Sequence, residues 1–155
     1  MGPLADVRIV DLSTGMAGPY CTMLLADMGA EVIKVEPPEG GDLTRQAGPF
    51  APDDQLQAFG GYFQSINRNK KGLAVDLKRE EGKEVLRRLV AVSDVLVENF
   101  RAGVMERLGL AYESLREINP RLVYAAVRGF GDPRTGRSPY VHRPAFDVVA
   151  QAMGG

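Results

Sequence analysis

The segment from Val7 to Glu36 constrains the fold more than any other. Two short runs, VRIVDL (Val7–Leu12) and EVIKVE (Glu31–Glu36), are apolar and rich in β-branched residues. They flank a Gly-Pro turn and the stretch YCTMLLADMG. Runs of this kind form strands buried on both faces of a parallel sheet. Pro19 suits the first turn of a helix, where its missing N–H is not needed. Gly29 supplies the left-handed residue that closes such a helix. Pro37 and Pro38 end the second strand. A strand, a crossover helix and a second strand make one parallel βαβ unit.

The alternation continues along the chain. Residues 37–66 are rich in Gly, Pro and polar groups and show no clear element. A loop this long inside a domain usually carries function. GLAVDL (Gly72–Leu77) reads as a third strand. REEGKEVLRRLVAVS reads as an amphipathic helix with Val85, Leu86, Leu89 and Val90 on one face. DVLVENF is a fourth strand, and two short helices follow near Val104–Leu108 and Tyr112–Ile118. RLVYAAVRGF is a fifth strand, and AFDVVAQAMGG closes with helical character. The predicted fold is α/β: an open, mainly parallel Rossmann-like sheet with helices on both faces, one domain over residues 1–155. With 155 residues, 45% of them hydrophobic, the chain can build one sizeable core.

Composition narrows the function classes. The 19 basic and 20 acidic residues leave a net charge of -1, so no global field favours nucleic acid or an acidic membrane. One cysteine, Cys21, forms no internal disulfide and suits a reducing cytoplasm. No run is long enough for a signal peptide or a bilayer span. The expected location is cytoplasmic, with neither membrane nor nucleic acid as partner.

Ligands of open α/β sheets bind beyond the carboxyl ends of the strands. The first such turn holds Gly15 and Gly18, which do not make the G-x-G-x-x-G dinucleotide fingerprint. Glu36 stands where a ribose-binding acid would, which leaves a nicotinamide or flavin cofactor as a minor alternative. No G-x-x-x-x-G-K-[ST] loop is present. His142, the single histidine, reads as a solvated loop residue, and Cys21 as a small core residue on the buried side of the first helix. One histidine and one cysteine argue against zinc, and no metal is expected. The cations are more suggestive. Arg68, Lys70, Lys71, Lys78, Arg101 and Arg107 flank strands and are expected to line one rim. There they would hold a polyphosphate by charge-assisted hydrogen bonds, with Met16, Val75 and Phe100 receiving an apolar tail.

Long blocks in a fixed order then identify a family. VRIVDLSTGMAGPYCTMLLADMGAEVIKVEPPEGGD, FQSINRNKKGLAVDLKREEGKEVLRRLVAVSDVLVENFRAGVMERLGL, INPRLVYAAVRGFG and PYVHRPAFDVVAQAMGG resemble the N-terminal part of the class III CoA transferases. The resemblance covers essentially the whole chain. It implies coenzyme A as substrate and carrier, with contacts carried over to Met16, Ala17, Val75, Lys78, Asn99 and Phe100, and a phosphate-holding role for Arg107. Gly18 is expected to allow close backbone approach to the ligand. Some members carry an arginine just after the second strand. Pro37 and Pro38 stand there instead, and Arg45 is the candidate replacement.

The resemblance also implies a mechanism. An aspartate attacks the acyl-CoA thioester, giving a mixed anhydride and CoA thiolate, and the thiolate converts the anhydride to an aspartyl-CoA thioester. An acceptor acid then reverses the steps. In the family this aspartate lies in a G-D segment beyond the position of Gly155, so no catalytic nucleophile is assigned within the chain. Asp147 matches an acidic position beside the active site, and serves equally as a helix N-terminal acid. The related α-methylacyl-CoA racemases place a histidine before that aspartate. Here Phe146 stands there, which favours transferase over racemase. Acyl donor and acceptor would be recognised partly by loops such as Gly48–Gly61. Full-length members form interlocked homodimers. The alternatives to a transferase segment are a racemase-like segment, a non-catalytic acyl-CoA binding module and an unrelated nucleotide-binding protein.

Overall fold

The computed structural model describes residues 2–136 and 138–154. Its strands are β1 (Arg8–Asp11), β2 (Glu31–Glu36), β3 (Lys70–Ala74), β4 (Val95–Glu98) and β5 (Val123–Ala126). Its helices are α1 (Ala17–Asp27), α2 (Gly61–Asn67), α3 (Glu80–Ala91), α4 (Val104–Leu108), α5 (Tyr112–Ile118) and α6 (Asp147–Gly154). The strands form one sheet in the order β3-β2-β1-β4-β5. Every pairing is parallel, as the βαβ pattern requires. The chain direction reverses its march across the sheet between β1 and β4. That crevice is where open α/β sheets take ligands.

Alternate residues of the strands feed two cores. Val10, Leu12, Val35 and Leu96 pack with Leu86 and Val90 of α3, Met105 of α4 and Leu115 of α5. Ile9, Val32 and Val97 point to the opposite face and pack with Ala26 of α1 and Ala30. Helix α1 carries Pro19 in its first turn and is closed by Gly29 at φ +102°. Only glycine adopts such a backbone without cost.

Several expectations need correction. The segment 37–66 is not structureless: a 3-10 turn spans Leu43–Gln46, and α2 spans Gly61–Asn67. Asp42 starts the 3-10 turn by accepting a hydrogen bond from Thr44 N at 2.9 Å. Helix α2 is held by burial of Phe63 and Ile66. The third strand begins at Lys70 and ends at Ala74, because pairing with β2 runs from Val32↔Lys70 to Glu36↔Ala74. Cys21 is exposed rather than buried. Its neighbours Thr22 and Met23 occupy the buried face of α1. On α3, Leu86 and Val90 are buried, whereas Val85 is 44% exposed and lies at the edge of the apolar stripe. Gly155, the end of the expected last helix, lies outside the described residues. No helix among the described residues is long and apolar enough to cross a membrane.

Candidate functional site

Three strands end in a buried carboxylate: Asp11 on β1, Glu36 on β2 and Glu98 on β4. Each has a basic partner. Lys70 Nζ lies 3.0 Å from Asp11 Oδ2. Arg45 grips Glu36 through Nε at 2.7 Å and Nη2 at 2.8 Å. Arg128 grips both oxygens of Glu98, at 2.7 and 2.5 Å. Unpaired carboxylates could not be buried here, because an isolated charge loses far more hydration than packing returns. The paired acids instead tie three separate parts of the chain to these strand ends: Lys70 from the start of β3, Arg45 from the segment after β2, and Arg128 from just past β5.

The β1–α1 turn is gripped from the residue after β4, from β2 and from the segment after β2. Asn99 Nδ2 donates to Thr14 O at 2.7 Å, and Asn99 Oδ1 accepts from Thr14 N at 2.9 Å. Lys34 Nζ donates to Ser13 O at 2.8 Å and pairs with Asp42 Oδ2 at 2.9 Å. Asp42 Oδ1 accepts from Gly15 N at 3.3 Å. Gly15 sits at φ +77° with open space beside it. Beyond these grips, Met16 and Ala17 are exposed at the start of α1.

The other carried-over positions gather on the α3 and α4 side of the sheet. Val75 and Phe100 are half-buried and pack against the same core. Val75 N donates to Glu36 O at 2.8 Å, which seats it just past the end of β3. Lys78 is exposed ahead of α3, and Arg107 is exposed on α4. Neither Lys78, Arg101 nor Arg107 has a carboxylate partner among the described residues. Asn99 differs in kind, since its amide is already committed to Thr14.

The six cations do not share one rim. Arg68 pairs with Asp27 at the far end of α1, 2.6 Å away, and Lys71 pairs with Glu31 at the start of β2, at 2.5 Å. Both lie at the amino edge. Lys70 is buried against Asp11, Pro19 O and Asn67 Oδ1. Desolvation lowers the pKa of its ammonium. Gly18 is also not held open for a ligand. A Cβ there would meet the Ser13 side chain.

Arg45 stands beside the end of β2, with its guanidinium 3.8 Å from the Phe63 ring centroid. It also donates to Ala58 O at 3.2 Å, so it anchors the 45–58 segment. Burial alone would push the Glu36 carboxyl up, but its bonds to Arg45 and to Asp42 N hold it below the ordinary 4.5. Beside this pair a cleft of 810 Å³ opens, lined by Pro37, Pro38, Phe50, Leu56, Leu73 and Ala74 among others. It lies at the β2–β3 ends, not at the β1–β4 crevice.

Asp147 is exposed in the first turn of α6, where its carboxylate accepts from Gln151 Nε2 at 2.5 Å. Phe146 precedes it and is 68% exposed. Gly129, past the end of β5, packs directly on Ala145, so α6 begins beside the carboxyl edge. No group of three or more His, Cys, Asp or Glu among the described residues could hold a metal ion. Sequence reasoning missed Lys34, Asp42, Glu98 and Arg128. The charged residues inside otherwise apolar strand runs were the available signal.

The chain matches the family model described as CoA-transferase family III over residues 4–155. It is 56% identical over its full length to succinyl-CoA:mesaconate CoA-transferase of Haloarcula hispanica, of which it covers 39%. Against acetyl-CoA:oxalate CoA-transferase of Acetobacter aceti the identity is 46%, over 99% of this chain and 37% of that protein. The crystal structure of a CAIB/BAIF family protein from Brucella suis superposes with a TM-score of 0.90 at 44% identity, covering 99% of this chain and 39% of that one. The chain thus spans well under half the length of these relatives. On the match over residues 4–155 and on this shared fold, the chain belongs to CoA-transferase family III.

Proposed function

We propose that this chain is the CoA-binding part of an acyl-CoA:carboxylate CoA-transferase. The observation that carries this reading is that Lys78, after β3, and Arg107, on α4, are exposed and have no carboxylate partner among the described residues. Helix α4 follows β4, and both cations lie next to elements of the core against which Val75 and Phe100 pack. Cations left unpaired at a carboxyl edge suit a ligand with several phosphates. Val75 and Phe100 supply the apolar part, while Met16 and Ala17 border the crevice from α1. The two relatives named as CoA-transferases supply the reaction class. The nucleophile of this reading is an aspartate beyond Gly155, forming an aspartyl-CoA thioester during exchange. Phe146 offers no acid–base group at the position that racemases fill with histidine, which supports transfer over epimerisation.

Calorimetric titration with CoA and NAD tests the binding half of the reading. Binding of CoA and none of NAD is expected, and the reverse result refutes it. Mixing the chain with a polypeptide that carries the downstream G-D segment tests the reaction half. Restored exchange of CoA between an acyl-CoA and a carboxylic acid is expected. A stable complex that binds CoA yet exchanges nothing would favour a non-catalytic module.

A further inference from the structure

Four charged side chains lie beneath the β1–α1 turn: Asp11, Lys34, Asp42 and Lys70. Their side-chain exposures are 0–2%. Two buried ion pairs are a poor device for stability. Desolvation consumes most of their attraction, and apolar residues of similar volume often serve a core as well. Their contacts give a better reason for their presence. Three consecutive residues of the turn are each held by a different side chain. Lys34 takes Ser13 O at 2.8 Å, Asn99 takes both backbone groups of Thr14, and Asp42 takes Gly15 N at 3.3 Å. Asp42 is itself fixed by Thr44, which donates from N at 2.9 Å and from Oγ1 at 2.8 Å. Lys34 and Asp42 touch no exposed surface of the proposed site, so they can act on a ligand only through the turn.

We infer that Lys34 and Asp42 are positioning residues that set the backbone of the CoA-facing turn. This rests on the CoA-binding reading above. The charged pair gives directional, charge-assisted bonds from below the turn, while Asn99 holds it from just past β4. Met16 and Ala17 then emerge in one fixed direction. A neutral pair would fill the space but leave the turn several arrangements.

The test is a neutral double variant, Lys34→Met with Asp42→Asn. It removes both charges together, so neither remains buried and alone. Three quantities are read: the melting temperature, amide hydrogen exchange by NMR, and the CoA dissociation constant by calorimetry. The expected result is a folded protein with a melting temperature near the parent's. The amides of Thr14 and Gly15 exchange faster, and those of Leu96 and Val97 do not. CoA binds about tenfold more weakly or worse, the scale seen when a supporting contact rather than a ligand contact is lost. Each single variant melts below the double, because it strands one buried charge. Should a single variant fail to fold, the double variant still decides. Unchanged turn exchange with unchanged CoA affinity overturns the inference. Faster exchange throughout the sheet also overturns it, since that marks a structural role alone. A parent chain that binds no CoA refutes the function reading and the inference with it, whereas CoA bound equally by parent and variant refutes only the inference.

Discussion

Gly18 packs on Ser13 so closely that a Cβ on Gly18 would lie 2.3 Å from the Ser13 Cβ. The glycine therefore serves the seating of α1 on the end of β1. Ser13 cannot yield, because its N donates to Asp11 Oδ1 at 2.9 Å and its hydroxyl to the same oxygen. Gly18→Ala should destabilise the fold by about 1–3 kcal/mol, the range for overpacking a tight interior. Urea unfolding checks this, and an unchanged midpoint would show that the turn gives way freely.

Lys78 and Arg107 should act on binding without acting on folding. Each is exposed and without an ion pair, so Lys78→Ala and Arg107→Ala should leave stability within about 0.5 kcal/mol. CoA affinity should fall by about 1–2 kcal/mol in each if both hold phosphate in a partly exposed site. Raising the salt concentration should shrink the effect. Equal affinity of parent and both variants would remove these residues from the site.

Glu98 and Arg128 form the most enclosed bidentate pair of the carboxyl edge, with side-chain exposures of 0% and 10%. Tyr124 Oη also donates to Glu98, at 3.2 Å. Desolvation and the Glu98 charge push the Tyr124 phenol well above its ordinary pKa, so it stays protonated as a donor. Arg128→Met leaves the Glu98 carboxylate without its cation and should cost about 3–5 kcal/mol. Glu98→Gln with Arg128→Met should recover much of that loss in a double-mutant cycle.

Acid should unfold the protein through its paired carboxylates. Burial raises the Glu36 and Asp42 carboxyls, yet Arg45 and Lys34 more than compensate, and both end below their ordinary 4.5 and 3.8. Arg134 bonds hold Asp132 down to about 2. The folded chain therefore binds fewer protons than the unfolded chain below pH 4.5. Stability must fall as pH falls through this range. A urea midpoint that declines from about pH 4.5 downward is expected. The decline should be shallower in Glu36→Gln, which removes one of the contributing carboxyls. A midpoint constant down to pH 3 would show that these pairs contribute nothing.

The order of elements was legible in the sequence because it rests on local pattern. β-branched runs set β1 and β2, and Leu86 with Val90 set the buried stripe of α3. The two short helices α4 and α5 fall where Gly, Pro and apolar spacing predict them. Helix α2 was not legible: it has seven residues and no side-chain cap, and packing of Phe63 and Ile66 holds it. Such short helices owe their stability to tertiary contacts. The position of Lys70 inside β3 was equally hidden, since pairing with Val32 decides it.

What the sequence by itself determined is the βαβ alternation, the parallel sheet and the family, because periodicity and turn residues act over a few neighbours. Only the tertiary structure decided which cations stay free. Lys70 is consumed by Asp11, 59 residues away, while Lys78 and Arg107 meet no carboxylate among the described residues. Strand order brings such partners together, and composition carries no record of it. The same holds for the turn, whose Ser13, Thr14 and Gly15 are gripped by Lys34, Asn99 and Asp42 only because β2 and β4 flank β1.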